Sequence, residues 1–357
     1  MHLQPESYDP LVSIMIATKD RPDDLRRTLF ELSRQQYKPL ELVVIDDGSS
    51  VPLESIVREH WPEANYIRRS ESAGQCRRRS EGFEIARGEY ILQLDDDSHP
   101  VQAEAISEAV RVMQSNPSFG GLSFYIFNGP QLPEKLQEAQ PQYHAAFVGC
   151  GVMFRTTAVR QVGGYREFFG NEWEEEELGL RMLAAGWVIY FFPALVIHHH
   201  VSVRNRKQER TWMRQIRNKL WAIVMNTPAG RLPLEVSWVI LVGFLDAIRL
   251  FRFKSYFTAL IQFAGGFRRA LRLRKPMPEL ALRRYDAMRF SGIFTAQDYS
   301  SPPPRSNQAV WRWFTKSWLN RARQRSVWDR RPGDIGGSPT VGFAHQYEAK
   351  PAADTEP

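Results

Sequence analysis

Short apolar runs that close on acidic turns, each followed by a helical stretch, restrict the N-terminal part of this chain to a layered α/β architecture. Leu11–Thr18 is apolar almost throughout, as a strand covered on both faces must be. In Pro22–Gln36, Leu25, Leu29 and Leu32 recur on one helical face, and Pro22 sits in a first turn that tolerates it. Leu40–Ile45 reads as a second strand and runs into Asp46-Asp47-Gly48-Ser49. Ile56–His60 reads as a short helix, Asn65–Ile67 as the start of a third strand, and Arg78–Ala86 as a helix. Tyr90–Leu94 is a further strand, ended by Asp95-Asp96-Asp97, and Val101–Met113 is helical. Strand alternating with helix predicts a doubly wound, mostly parallel sheet. Such sheets bind ligands beyond the carboxyl ends of their strands, where Asp46 and Asp95 both fall.

Further along, Phe147–Phe154 reads as a strand and Glu174–Ala185 as a helix. Val188–Phe192 and Leu195–Ile197 read as short strands leading into His198-His199-His200. From about Val203 the pattern changes to basic helices rich in Trp, Phe and Leu, and the charge changes with it. Residues 1–202 carry 19 Lys/Arg against 29 Asp/Glu, whereas 203–331 carry 27 against 7. The basic half is suited to phosphate groups, on nucleic acid or on an anionic membrane. In Arg204–Asn226, Trp212, Ile216 and Leu220 form an apolar stripe among basic residues. Leu232–Arg252, Tyr256–Leu271 and Ala309–Trp328 are similar, a pattern shared with membrane-surface helices and with ordinary packed ones. The expected division is 1–202 as a catalytic domain, 203–300 as a basic helical region and 301–331 as linker and helix, with 332–357 as a disordered tail.

Two cysteines, Cys76 and Cys150, make neither a disulfide framework nor a zinc site. The polar opening MHLQPESYDP carries no secretory pattern, and Val236–Leu245 is too short to span a bilayer. The expectation is cytoplasmic residence, peripheral on the membrane at most.

Three clustered carboxylates at the end of a buried strand repel one another unless a cation is present. Mg²⁺ takes one or two carboxylates plus substrate phosphates, so Asp95 and Asp97 are candidate ligands. Asp-x-Asp puts both on one side of extended backbone. A solvated loop with helix-capping aspartates would look the same. Asp46-Asp47-Gly48-Ser49 is either a turn or a nucleoside contact. Glu174–Glu177 suits the positive end of a helix or a solvated face, and one of its carboxylates could take a proton from an acceptor hydroxyl. His198 and His200 share a strand face, with His199 opposite, as metal or phosphate ligands or as structural residues.

The ordered series, rather than any one element, resembles a known family. Ala17-Thr18-Lys19-Asp20-Arg21-Pro22 is followed by Val43–Ser49, then Gly74, Arg79, Ala86–Tyr90 and Leu94–Asp97. Gly163-Gly164-Tyr165, Glu174–Leu178, Arg181, Gly186, Pro193 and His198 complete it. Residues 11–202 resemble the family 2 glycosyltransferases. The resemblance implies a GT-A fold: a Rossmann-like mixed, mostly parallel sheet flanked by helices, here with a basic helical C-terminal extension. It further implies an inverting transferase using an NDP-sugar donor and Mg²⁺ or Mn²⁺. Asp46 matches the nucleoside-contacting aspartate, with Thr18, Asp20 and Arg21 near the base. Arg79, Asp95 and Asp96 fall with the donor-binding residues, Asp97 with the metal ligand, and His198 with a histidine near metal and diphosphate. Glu175 matches the catalytic base, with Glu174 and Glu176 as alternatives. Asp20 stands where Asn is common, Ser80 where Asn is usual, and the base is Glu rather than Asp.

A lipid-linked or polysaccharide acceptor, an anionic membrane surface and no nucleic acid are the expected partners. A nucleotidyltransferase would want a Gly-rich phosphate loop after the first strand, and Ala17–Pro22 has no glycine. A non-catalytic nucleic-acid-binding protein would use the basic half and leave the acidic clusters unexplained.

Overall fold

A computed structural model describes residues 9–129, 131, 132, 136, 138–200, 208–290 and 294–302. The Ala309–Trp328 helix, the tail from 332 and the opening eight residues lie outside the described residues. One nine-stranded sheet organises the chain. Its first strands are β1 (Val12–Thr18), β2 (Leu40–Asp46), β3 (Asn65–Arg68), β4 (Tyr90–Asp95) and β5 (Ser98–Pro100). They are followed by β6 (Phe119–Asn128), β7 (Gln142–His144), β8 (Gly151–Arg155) and β9 (Val188–His199). The order is β3-β2-β1-β4-β8-β6-β9-β5, with β7 also paired to β9. β3, β2, β1 and β4 are mutually parallel. β8 is antiparallel to both β4 and β6, so the sheet is mixed rather than uniformly parallel.

Helices α1 (Pro22–Ser33), α2 (Glu54–His60), α3 (Gln75–Ile85), α4 (Ala105–Ser115), α5 (Thr156–Gln161) and α6 (Glu174–Ala184) cover the sheet. The alternation of β1 is divided between its two faces. Val12, Ile14 and Ile16 pack with Leu25, Leu29 and Leu32 of α1 and with Ile106, Val110 and Met113 of α4. Met15 packs on the other side with Phe83 of α3, Phe154 of β8 and Leu178 and Met182 of α6. Both faces are thus covered, which is why the run is apolar on both apart from buried Ser13, whose hydroxyl donates to Glu41. The stretches read as two short strands, Val188–Phe192 and Leu195–Ile197, are one strand. β9 keeps Pro193 inside it by shifting register against β6 between Phe192 and Val196. Phe147–Cys150 is a turn, so β8 begins later than its apolar run does.

The basic region forms α7 (Gln208–Asn226), α8 (Leu232–Leu250), α9 (Phe253–Arg272), α10 (Glu279–Phe290) and α11 (Ala296–Ser300). The stripe of Trp212, Ile216 and Leu220 does not face lipid: it is buried against Val239, Ala247, Tyr256 and Ala259. Helix α7 is also fastened to the loop before α6. Asn218, wholly buried, donates from its amide nitrogen to the carbonyls of Phe169 (3.0 Å), Asn171 (2.9 Å) and Glu172 (2.6 Å). That loop leads directly into α6, through Glu172 and Trp173 at φ 77° and 65°.

Where α6 crosses the segment before β8 there is no room for a side chain. A Cβ on Gly179 would run into the Ala145 carbonyl oxygen and lie 3.0 Å from the Ala146 Cα. Backbone on that side cannot swing away as a side chain can, so Gly179→Ala should cost about 1–3 kcal/mol, read from the urea midpoint at unchanged slope.

Candidate active site

The carboxyl ends of β1, β2 and β4 open side by side, because Thr18 pairs with Asp46 and Ala17 with Asp95 in the parallel register. Beyond Asp95, the last residue of β4, the chain turns at Asp96 and Asp97 into β5. Asp95 and Asp97 both come near His199, and Asp96 turns away from them. Asp95 Oδ1 accepts from Gln75 Nε2 at 3.0 Å and from Arg79 at 2.5 Å. Asp96 turns inward, accepting from Thr18 Oγ1 at 2.8 Å and from Arg21 at 2.5 Å. Burial pushes Asp96 up to about 7, against the pull of the Arg21 charge and with the repulsion of Asp97 and Asp95. Asp97 pairs with Arg21 and lies 3.1 Å from His199 Nε2. Burial opposes its charge, but His199 and Arg21 outweigh that and hold Asp97 well below the usual carboxylate range.

His198 was the histidine expected beside Asp97, and the strand does not deliver it there. β5 pairs Ser98 with His199 and His99 with His198. His199 therefore joins Asp95 and Cys150, their potential ligand atoms within 4.8 Å of one another, while His198 joins His99 and His200. Nδ1 of His199 is held by Asn128 Oδ1 at 2.8 Å, and Nε2, buried beside Asp97, has no hydrogen-bond partner. Burial disfavours a charged His199, yet Cys150 and Asp97 push its pKa up to about 11.

The residues expected at a nucleoside differ among themselves in burial. Asp46 is wholly buried, its carboxylate accepting from Ser49 N (2.7 Å) and Tyr66 Oη (2.6 Å). It shapes the turn rather than facing solvent. Asp47 likewise ties β2 to α3, accepting from Ser72 Oγ, Ala73 N, Gly74 N and Arg78 Nε. Asp20 is exposed, with a left-handed backbone at φ 53°, and its carboxylate accepts from Ser50 N at 2.6 Å. Arg68, 41% exposed on β3, is an addition that no sequence signal singled out.

The four glutamates of α6 separate into different roles. Glu177 is buried and paired with Arg181 at 2.7 Å, so it is structural. Glu174 is buried and Glu175 and Glu176 are both part-exposed, but Glu175, with 24% of its side chain exposed, is the one beside Arg79 at the mouth of the site. Glu175 Oε1 accepts from Gly149 N at 2.6 Å and lies 3.7 Å from Arg79. Burial first, and then the charge of Glu174, push Glu175 up to about 8 against the pull of Arg79. Burial also pushes Glu174 and Glu176 up to about 8. Arg79, 2% exposed, thus stands between Asp95 and Glu175 and joins the aspartate turn to the glutamate helix.

A sheet of this order, with an Asp-x-Asp turn at the ends of its central parallel strands, is that of a GT-A-type glycosyltransferase domain. Residues 13–166 match the model of glycosyl transferase family 2. Among its relatives is the UDP-Glc:alpha-D-GlcNAc-diphosphoundecaprenol beta-1,3-glucosyltransferase WfaP of Escherichia coli. It is 26% identical over 161 residues, covering 43% of this chain and 62% of WfaP. The chain spans between 10% and 62% of the length of eight curated relatives. The fold is shared with S. aureus TarS 1–349 in complex with UDP-GlcNAc, at TM-score 0.54 and 14% identity, over 93% of this chain and 97% of that one. It is also shared with a mannosyltransferase of Pyrobaculum calidifontis in complex with GDP-Man and Mn²⁺, at TM-score 0.50 and 16% identity, over 91% and 89%.

Proposed function

We propose that this chain transfers a sugar, with inversion, from a nucleoside diphosphate sugar to an acceptor hydroxyl of a lipid-linked or polysaccharide component of the cell envelope. The observation that carries this reading is the buried Arg79, which sets a candidate base, Glu175, beside the Asp-x-Asp turn. A single displacement needs just those two parts: a leaving-group site and one carboxylate to take the acceptor proton. The family match and the lipid-diphosphate acceptor in the name of WfaP support the same reading.

The turn fits a divalent cation. His199 turns a buried Nε2 to Asp97 Oδ1 at 3.1 Å, where a cation would take the place of the shared proton, and Asp95 adds an oxygen. Cys150 is the poor member of the group, because burial raises its thiol and a neutral thiol does not serve a hard ion. Asp97, His199 and Asp95 would hold Mg²⁺ or Mn²⁺, which when bound neutralises the charge developing on the departing diphosphate. Asp20, Arg21 and Arg68 line the nucleoside end, with Asp46 acting through Ser49 and Tyr66. Thr18 holds Asp96 in place. Glu175 takes the proton from the acceptor hydroxyl on the opposite side.

Thermal stability against a panel of nucleoside diphosphates, with and without Mn²⁺, tests this. A ligand at 100 times its Kd stabilises by about 2.7 kcal/mol. One nucleotide should give a metal-dependent shift that disappears in Asp97→Asn. No shift for any nucleotide, with Mn²⁺ also silent, would overturn the proposal.

The acceptor reading has a surface to go with it. Among the described residues no helix is long and apolar enough to cross a membrane. Helices α8 and α9 nevertheless expose Leu241, Phe244, Ile248, Phe257 and Ile261, the last 72% accessible, and Phe251 between them is 87% accessible. Arg249, Lys254, Arg268, Arg269 and Arg272 are exposed on the same two helices. Apolar side chains ringed by cations fit an anionic lipid surface, each cation contributing about 1 kcal/mol near it. The chain should sediment with anionic liposomes, release at high salt, and lose most binding in Phe251→Ser/Ile261→Ser. Equal sedimentation with neutral and anionic vesicles would argue against this face.

A further inference from the structure

On the other face of the end of β9 from His199, three imidazoles meet. His99 stands on β5 directly across from His198 in the antiparallel register, and His200 follows one residue past β9. Ring centroids are 5.5 Å apart for His99 and His198, 5.3 Å for His99 and His200, and 3.9 Å for His198 and His200. One nitrogen from each ring lies within 4.8 Å of the other two.

The hydrogen bonding of the cluster is incomplete in a particular way. His99 and His198 are each 6% exposed. His99 Nδ1 and His200 Nε2 are both buried and have no hydrogen-bond partner. A buried polar atom left unpaired costs about 1–3 kcal/mol, so two in one cluster call for an explanation. His198 has the opposite arrangement: its Nε2 donates to the Gly129 carbonyl at 2.8 Å. That bond fixes the tautomer and leaves Nδ1 with its lone pair free, the arrangement in which a ligating histidine is oriented by its other nitrogen.

We propose that His99, His198 and His200 form a second metal site, for a zinc-like ion, that ties the edge strand β5 to the end of β9. Three neutral imidazoles select a borderline transition ion over Mg²⁺ or Mn²⁺, which want oxygen. Zinc–nitrogen bonds of about 2.0–2.1 Å in a tetrahedron put the nitrogens about 3.3 Å apart, so small ring rotations close the present spacing. The surroundings are mixed in charge, with Arg27 acting on all three rings, Arg34 on His99 and Glu31 on His198. A fourth position is left for water. The site adjoins the reaction centre without belonging to it, since His200 N donates to the Asp97 carbonyl at 2.9 Å while Asp97 directs its carboxylate to Arg21 and His199. A bound ion would therefore hold the base of the Asp-x-Asp turn from behind.

The test is Co²⁺ titration of the full-length, untagged, chelator-stripped protein, followed by visible ligand-field absorption. One equivalent should give a tetrahedral spectrum that Zn²⁺ abolishes and excess Mg²⁺ leaves intact. His99→Ala and His200→Ala should each weaken binding by at least about 100-fold. Asp97→Asn should bind Co²⁺ as the parent does, whatever becomes of its nucleotide response. His200 is half-buried and at a strand end, so its variant remains informative if His99→Ala does not fold. Unchanged Co²⁺ affinity in His200→Ala, or no tetrahedral spectrum at one equivalent, overturns the proposal. Binding lost in Asp97→Asn but kept in His200→Ala would place the ion at the aspartate turn and overturn it equally.

Discussion

Glu175→Gln should lower turnover by about 100- to 10,000-fold while leaving metal-dependent nucleotide binding close to that of the parent. The amide keeps the shape of the side chain, and its oxygen still accepts from Gly149 N, so the position of the residue is retained. What is lost is the capacity to take a proton. The pH profile gives a second readout. Burial and Glu174 hold the Glu175 acid up to about 8, so the active, deprotonated form accumulates as pH rises. The parent kcat/KM should climb with pH to about 8 and level off, and Glu175→Gln should lack that limb. Asp96, held near 7, also titrates in this range, and persistence of the limb in Glu175→Gln would assign it there. If Glu174→Gln or Glu176→Gln gives the large loss and Glu175→Gln does not, the base is the neighbour.

Arg79→Met should destabilise the protein by about 3–5 kcal/mol, the usual effect of removing one member of a buried ion pair. The guanidinium is almost wholly buried, 2.5 Å from Asp95 and 5.6 Å from the Tyr165 ring centroid. Methionine fills much of the space but leaves Asp95 and Glu175 facing each other without the cation between them. A fall in Tm on the order of 10 °C follows from that range. Activity should also be lost, and Arg79→Lys should not restore it. A single ammonium cannot face Asp95 with one arm and Glu175 with the other. A variant with parental Tm would mean that the buried Arg79–Asp95 pair adds nothing to stability.

The strands that carry the site were legible because each is buried on both faces and ends in polar turn residues. Others were not. β6 is buried at every position, yet Gly120-Gly121 at its start looks like a turn, and its place between β8 and β9 depends on long-range pairing. The glutamate helix was legible from its acidic first turn. Which glutamate reaches the mouth depends on Gly149 and Arg79, both far away in sequence. The histidines show the limit most clearly. Alternation correctly separates His199 from His198 and His200, but a strand's own residues do not say which face meets Asp97. That is decided by β5, a three-residue strand with no apolar pattern of its own. The burial of Asp46 was hidden for a related reason: its partner Tyr66 comes from β3, which pairs with β2 far along the chain. The apolar stripe of α7 was ambiguous from the start, because helices that pack and helices that touch lipid share one periodicity.

Asn218 gives the helical region a meaning beyond adhesion. One buried amide grips three carbonyls of the loop that launches the glutamate helix, and α7 itself is packed against α8 and α9. If the chain rests on lipid through α8 and α9, the proposed base Glu175 sits at a set height above the bilayer. The molecule would then measure its acceptors as a gauge does. Hydroxyls at that height are served, and a glycan that has grown past it is out of reach however well its sugars match.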